Sequence, residues 1–125
     1  MHRSRIGSIL VDCGTERFEE SVSFWSGALG REALAGDERY VPIKGRHGGE
    51  GGPTVLLQRD SPHPGHHLDF ETDDVEAELG RLTGLGARLK RRQGNYVVMT
   101  APSGHDFCVV PVFRKDFPAG AQEWD

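Results

Sequence analysis

His66-His67-Leu68-Asp69-Phe70-Glu71-Thr72-Asp73-Asp74 joins an alternating strand to an acidic helix start. Side chains alternate across a strand, so His67 and Asp69 share one face while Leu68 and Phe70 share the other. The apolar face needs a covering layer, and the sequence supplies one at once. Asp73 reads as an N-cap with Glu76 three residues on, as in a capping box, and Val75, Leu79, Leu82 and Leu85 follow at helical spacing up to Gly86. A helix over about 74–85 covers Leu68 and Phe70, which leaves His67 and Asp69 looking into a groove.

Working outward, the first half repeats this pattern. Ile6 to Val11 reads as a strand with Ile9 and Val11 on one face and Ser8, Leu10 and Asp12 on the other. Thr15 is the expected cap of a helix over about 15–29, whose apolar stripe is Phe18, Val22, Trp25 and Leu29 and whose stop is Gly30. Strands are expected at 38–44 and 54–59, separated by a glycine-rich stretch, 45–53, that reads as a flexible loop near the groove and carries His47. Ser61-Pro62-His63-Pro64-Gly65 is a linker. The second half adds strands at 87–92, 96–100 and 106–112, the last two joined by a hairpin at 101–105. The tail from Arg114 has no periodicity, although Phe117 and Trp124 could pack across the sheet or on a partner subunit. A strand, a helix ending in Leu-Gly and two or three strands therefore occur twice, which is an internal duplication of a β-α-β-β-β unit.

At 125 residues the chain reads as one domain, 1–125, with modules at about 6–60 and 66–112 and a tail at 113–125. A formal charge of -4 gives no basic footprint for nucleic acid and no polybasic membrane signal, so a small-molecule partner is expected. No long apolar run or signal-peptide core is present, and a cytoplasmic setting with Cys13 and Cys108 as reduced thiols is expected.

Phe24-Trp25 followed by Ala28-Leu29-Gly30, then His67 to Asp74, then Ala101-Pro102-Ser103-Gly104-His105-Asp106-Phe107 together resemble the vicinal oxygen chelate superfamily, in particular its glyoxalase-like, bleomycin-resistance and dioxygenase-related small members. The resemblance covers about residues 6–112. It implies an α+β fold of two tandem βαβββ modules whose curled mixed sheets surround a cleft, commonly in a homodimer. It also implies action on, or binding of, a small organic molecule in that cleft, by a lactoylglutathione-lyase-like or related enzyme or by a non-catalytic protein that sequesters its ligand.

In such proteins a divalent metal is held by one residue on the first and one on the last strand of each module. Those positions fall here on Ser8, on Leu56 or Gln58, on His67 and on Cys108, of which His67 alone is a usual donor. No tightly held divalent ion is expected from that incomplete set. Zinc would accept His nitrogen and Cys sulfur, but catalytic zinc takes three protein donors and an open position.

From the residues themselves, His67 and Asp69 form the candidate catalytic pair, a general base or recognition histidine beside a carboxylate. Ser8, Gln58, Tyr96 and Cys108 complete the candidate ligand-binding groove, because each lies opposite the apolar set of its strand. His66 points away from His67 and reads as a surface residue.

Overall fold

The computed structural model describes residues 1–14, 16–62 and 64–125. In chain order the elements are β1 (His2–Asp12), α1 (Phe18–Leu29), β2 (Tyr40–Ile43), β3 (Thr54–Gln58), β4 (Gly65–Thr72), α2 (Val75–Gly84), β5 (Arg88–Gln93), β6 (Tyr96–Thr100), β7 (Asp106–Pro111) and β8 (Gln122–Trp124). The sheet runs β2-β3-β1-β4-β7-β6-β5, with β8 added on β1. Its halves meet at the antiparallel pair β1 and β4, and each of these strands pairs on its far side with a parallel strand, β3 or β7. The result is an α+β fold with a curled, unclosed sheet, as the duplication and the resemblance together lead one to expect of the two modules.

Each module has its own core. Under α1, Val11, Phe18, Ile43, Val55 and Leu57 are buried, with Ile9, Val22, Trp25 and Leu29 against them. Under α2, Leu79, Leu82, Val97, Met99, Phe107 and Val109 are buried, with Phe70 and Val75 against them. Both helices therefore cover the apolar strand faces and leave the opposite faces to the cleft.

Module one is the shorter. The strand that would complete its βαβββ unit is reduced to one bridge, Ala33 to Ile43. A Cβ on Gly36 would stand 1.9 Å from the Tyr40 carbonyl oxygen, so the chain passes itself too closely there to run extended. Asp37 then accepts the backbone N–H groups of Arg39 and Tyr40, each at 2.8 Å, and sets the turn.

Three expectations need correction and two lie outside the described residues. The α2 cap is Asp74, whose carboxylate accepts the Ala77 N–H at 3.0 Å, because Asp73 is already bonded to the Arg3 N–H at 2.8 Å. Strand β1 begins at His2 and not at Ile6, since β8 from the tail pairs with its first turn of chain, Trp124 opposite His2 and Gln122 opposite Ser4. The glycine-rich loop lies away from the groove: Arg114 donates to the carbonyls of Gly51 and Gly52, and Gly51 packs on Ala119. His47 goes with it. The cap expected at Thr15, and His63 of the linker, fall outside the described residues. Arg17, at φ 62, precedes α1 without a side-chain capping bond.

A buried ionic cluster holds the tail. Glu71 accepts Arg5 Nε at 2.7 Å and the backbone N–H groups of Phe113 and Arg114 at 2.7 Å each, while Arg5 also reaches Asp116 at 2.8 Å. Trp124 Nε1 donates to Ser4 Oγ at 2.8 Å, and the Arg81 guanidinium stacks 3.9 Å from the centre of its indole ring. Among the described residues no helix is long and apolar enough to cross a membrane.

Candidate functional site

Strand register assembles the site. Across β2, β3 and β1 the paired positions are Tyr40, Gln58 and Asp12; across β4, β7, β6 and β5 they are Asp69, Cys108, Val98 and Arg91. His67 joins the two rows, with Leu10 as its partner on β1 and Asp12 two residues further on. Together these residues line a concave cleft of about 510 Å³ to which Arg39, Gln93 and Tyr96 also contribute.

At its floor, His67 Nδ1 lies 2.8 Å from Asp12 Oδ2, and His67 Nε2 lies 3.6 Å from Asp69 Oδ1. Gln58, in the amide orientation its neighbours demand, donates to Asp12 at 3.3 Å and accepts from Arg39 Nη2 at 3.1 Å. Asp12 is therefore satisfied twice, whereas Asp69 Oδ1 is buried with no hydrogen-bond partner among the described residues. Cys108 pairs with Asp69 across β4 and β7, and one donor atom each from His67, Asp69 and Cys108 lie within 4.8 Å of one another.

Burial works against charge on both members of the His67 and Asp69 pair. On the imidazole it acts downward, but the hydrogen bonds to Asp12 and Cys108 and the carboxylates of Asp12 and Asp69 outweigh it and raise His67 to about 10. On Asp69 burial prevails and pushes the carboxyl up to about 6, against the pull of the His67 charge.

Of the residues expected from sequence, Gln58, His67, Asp69, Tyr96 and Cys108 line this cleft. Ser8 does not: it is fully buried, with its hydroxyl 3.0 Å from Thr54 Oγ1. It keeps the face that alternation gives it, but the neighbouring strand closes over it. His66 is exposed and meets Trp25 edge to face. The sequence reading missed Asp12, Arg39, Tyr40, Arg91 and Gln93. Asp12 carried a usable signal, since it shares a face with Ser8 and Leu10; Tyr40, Arg91 and Gln93 come from the edge strands β2 and β5, and Arg39 from the turn just before β2, which only the curl of the sheet brings inward.

The four strand positions that the resemblance implies for a metal, Ser8, Leu56 or Gln58, His67 and Cys108, do not fit one as a set. Ser8 is spent on Thr54, Leu56 is aliphatic, and the Gln58 amide is bonded on both sides. His67 and Cys108 remain, and Asp69, which is none of those four positions, stands with them as a third donor.

Residues 8–110 match the model of the glyoxalase-like domain family. Among curated proteins there is no match. Among solved structures the chain is similar to a variant of Streptomyces coelicolor methylmalonyl-CoA epimerase in complex with 2-nitronate-propionyl-CoA (20% identity over 86% of this chain and 96% of that one, TM-score 0.59). It is also similar to homoprotocatechuate 2,3-dioxygenase from Arthrobacter globiformis (17%, 86% and 35%, TM-score 0.59) and to the Mn(II)-bound glyoxalase from Novosphingobium aromaticivorans (19%, 86% and 40%, TM-score 0.57). At these identities the likeness is one of fold.

Proposed function

Because this chain belongs to the glyoxalase-like domain family, we propose that its cleft receives a small organic molecule and acts on it at His67 and Asp69. The observation that carries the reading is Asp69 Oδ1, buried and without a partner beside a histidine that is fully oriented. An unsatisfied buried acceptor costs about 1–3 kcal/mol, a cost that a group entering the cleft relieves. Asp12 and Gln58 position His67. Tyr96, Arg39 and Arg91 offer hydrogen bonds around a partly apolar wall that includes Leu10 and Val98.

A divalent ion at this floor would be held by His67, Asp69 and Cys108 and would supply a Lewis acid for an oxygen of the ligand. The chain's own residues fix the donors and shape the pocket. The sequestering alternative uses the same cleft without reaction, and the absence of a carboxylate at Gln58 and Cys108 speaks for it. A homodimer belongs to the proposal as an implication of the resemblance, and a cytoplasmic setting accords with the free thiols of Cys13 and Cys108; light scattering checks the dimer.

A thermal-shift screen of small oxygenated organic compounds, followed by calorimetry, tests the reading. A compound that binds the parent protein is expected to lose its binding in His67→Ala and Asp69→Ala while both variants keep the parent melting temperature or exceed it. Unaltered binding by both variants would move the site elsewhere.

A further inference from the structure

We propose that Arg91 and Arg39 hold the acid group of the ligand, so that the molecule this cleft takes is a small organic carboxylate. The other end of that molecule then lies at His67 and Asp69, and in this the assignment rests on the chemistry proposed for the cleft floor.

The backbone of β5 is bent to bring Arg91 in. Leu89 pairs with Met99, which is buried under α2, so an unbroken register would set Lys90 opposite Val98 and Arg91 opposite Val97 on the same buried face as Met99. The register instead shifts between Leu89 and Arg91, and Arg91 stands opposite Val98, in the row that runs through Cys108 to Asp69. A bulge of this kind re-aims a side chain, and bulges gather beside functional sites. It also sorts the basic run. Lys90 is spent on Asp106 at 2.5 Å, and Arg92, opposite Val97 on the helix side, is spent on Glu76 at 2.8 Å. Arg91 alone of the three lines the cleft, and its Nε donates to the neutral amide oxygen of Gln93 at 3.2 Å.

The first module repeats the device. Arg39 donates through Nη2 to the Gln58 amide oxygen at 3.1 Å and lies 5.8 Å from the centre of the Tyr40 ring. Gln58 pairs with Tyr40 across β3 and β2 as Gln93 pairs with Tyr96 across β5 and β6. Each half of the cleft therefore presents an arginine held by a glutamine beside a tyrosine. An amide orients a guanidinium without neutralising it. Neither arginine makes an ion pair among the described residues, in a chain whose formal charge is -4. The neighbouring carboxylates are engaged elsewhere: Asp37 with the backbone N–H groups of Arg39 and Tyr40, Asp12 with His67, and Asp106 with Lys90. Asp60, also on the cleft wall, is in ion-pair contact with neither arginine. A guanidinium fork with free N–H groups matches a carboxylate in two parallel hydrogen bonds. Arg91 stands three strands from Asp69, roughly 14 Å along the sheet between Cα atoms, so an acid with a short carbon chain, and not a bare inorganic anion, spans what the arginine side chain leaves open.

Calorimetry on the full chain measures binding of hydroxycarboxylic acids of about three to six carbon atoms, the hydroxyl being the donor that Asp69 Oδ1 lacks. Each is measured beside its neutral amide and the phosphate monoester of the same chain length, with inorganic phosphate as a control. At least one acid is expected to bind, with its amide and phosphate monoester weaker by about 10-fold or more and inorganic phosphate not bound. Arg91→Gln and Arg39→Gln, both at exposed positions, should each weaken that acid about 10- to 100-fold with unchanged circular dichroism, the scale of a lost charge-assisted hydrogen bond, while Arg92→Gln leaves it as it was. Absence of binding by every acid, an amide or phosphate monoester bound as tightly as its acid, or binding that survives both arginine substitutions overturns the assignment. If no acid binds but a neutral compound does, and His67→Ala loses it, the carboxylate fails while the reading of the cleft stands. If an acid is lost in Arg91→Gln yet kept in His67→Ala and Asp69→Ala, the arginine pair stands and the chemistry at the floor fails.

Discussion

Replacing Glu71 by Ala tests whether the buried ionic cluster, and not the tail's own sequence, closes the end of the sheet away from the cleft. Glu71 is fully buried and accepts Arg5 Nε and two backbone N–H groups of the tail, with Arg114 Nε a further 3.5 Å away. Breaking a buried ion pair by deleting one partner typically costs about 3–5 kcal/mol, because the remaining charge is stranded. Here Asp116 still reaches Arg5 at 2.8 Å and offsets part of that, while the N–H groups of Phe113 and Arg114 lose their acceptor at about 1–3 kcal/mol each. A net loss of at least about 3 kcal/mol follows, against the roughly 5–15 kcal/mol typical of a domain. Urea unfolding followed by circular dichroism measures it, and limited proteolysis locates it, with cleavage expected first in residues 113–121. Glu71→Ala loosens β1's tie to the tail without touching His67, so a compound bound in the cleft should bind the folded fraction as before. A loss below about 1 kcal/mol with an uncleaved tail would refute the reasoning and make the hydrogen bonds of β8 the true fastening.

Glu78 offers a pH test: burial acts to raise its carboxyl, but hydrogen bonds from Arg81, His2 and Ser4 outweigh it and hold the pKa below its ordinary value. A depressed carboxylate stabilises the fold above its unfolded pKa and ceases to do so as pH falls through the folded value, so the urea midpoint should drop below about pH 4.5, and Glu78→Gln should flatten that limb. Gly7→Ala should cost about 1–3 kcal/mol in the same assay, since a Cβ there meets Glu71 Cβ at 2.9 Å and the Phe113 ring at 3.1 Å, beside the bulge that shifts the β1 and β4 register between Ile6 and Ser8. Trp124→Ala removes the bond to Ser4 and the stack with Arg81, and amide exchange at residues 2–4 should speed up while exchange at β6 and β7 is unchanged.

What was legible in the sequence followed period and punctuation. Alternation placed His67 and Asp69 opposite Leu68 and Phe70, and the helical stripes of Phe18 to Leu29 and Val75 to Leu82 were as expected, because both signals are local. What was missed depends on distant chain. Residues 2–5 and 122–124 are too short and too polar to read as strands; residues 2–4 pair with 122–124, and Ser4 and Arg5 pair with Thr72 and Glu71 of β4. Whether the cap was Asp73 or Asp74 hung on Arg3, seventy residues away. Ser8 had the right face, but its burial is decided by the parallel neighbour β3 and the hydroxyl of Thr54.

Strand β4 shows why candidate function cannot be read from polarity alone. His67, Asp69 and Glu71 occupy alternate positions, so in sequence they are three equivalent polar residues on one face. Glu71 meets Arg5 and the turn at Phe113 and Arg114, and each of its oxygens accepts at least one hydrogen bond. Its charge is used up by the fold. Two residues back, Asp69 meets no counterpart for Oδ1, and its neighbour His67 already gives Nδ1 to Asp12. The same burial that is structural where its partners are complete becomes chemically available where one is missing. That incompleteness, and not the presence of a histidine beside a carboxylate, is what makes Asp69 the proposed contact of a ligand, while Glu71 fastens the tail.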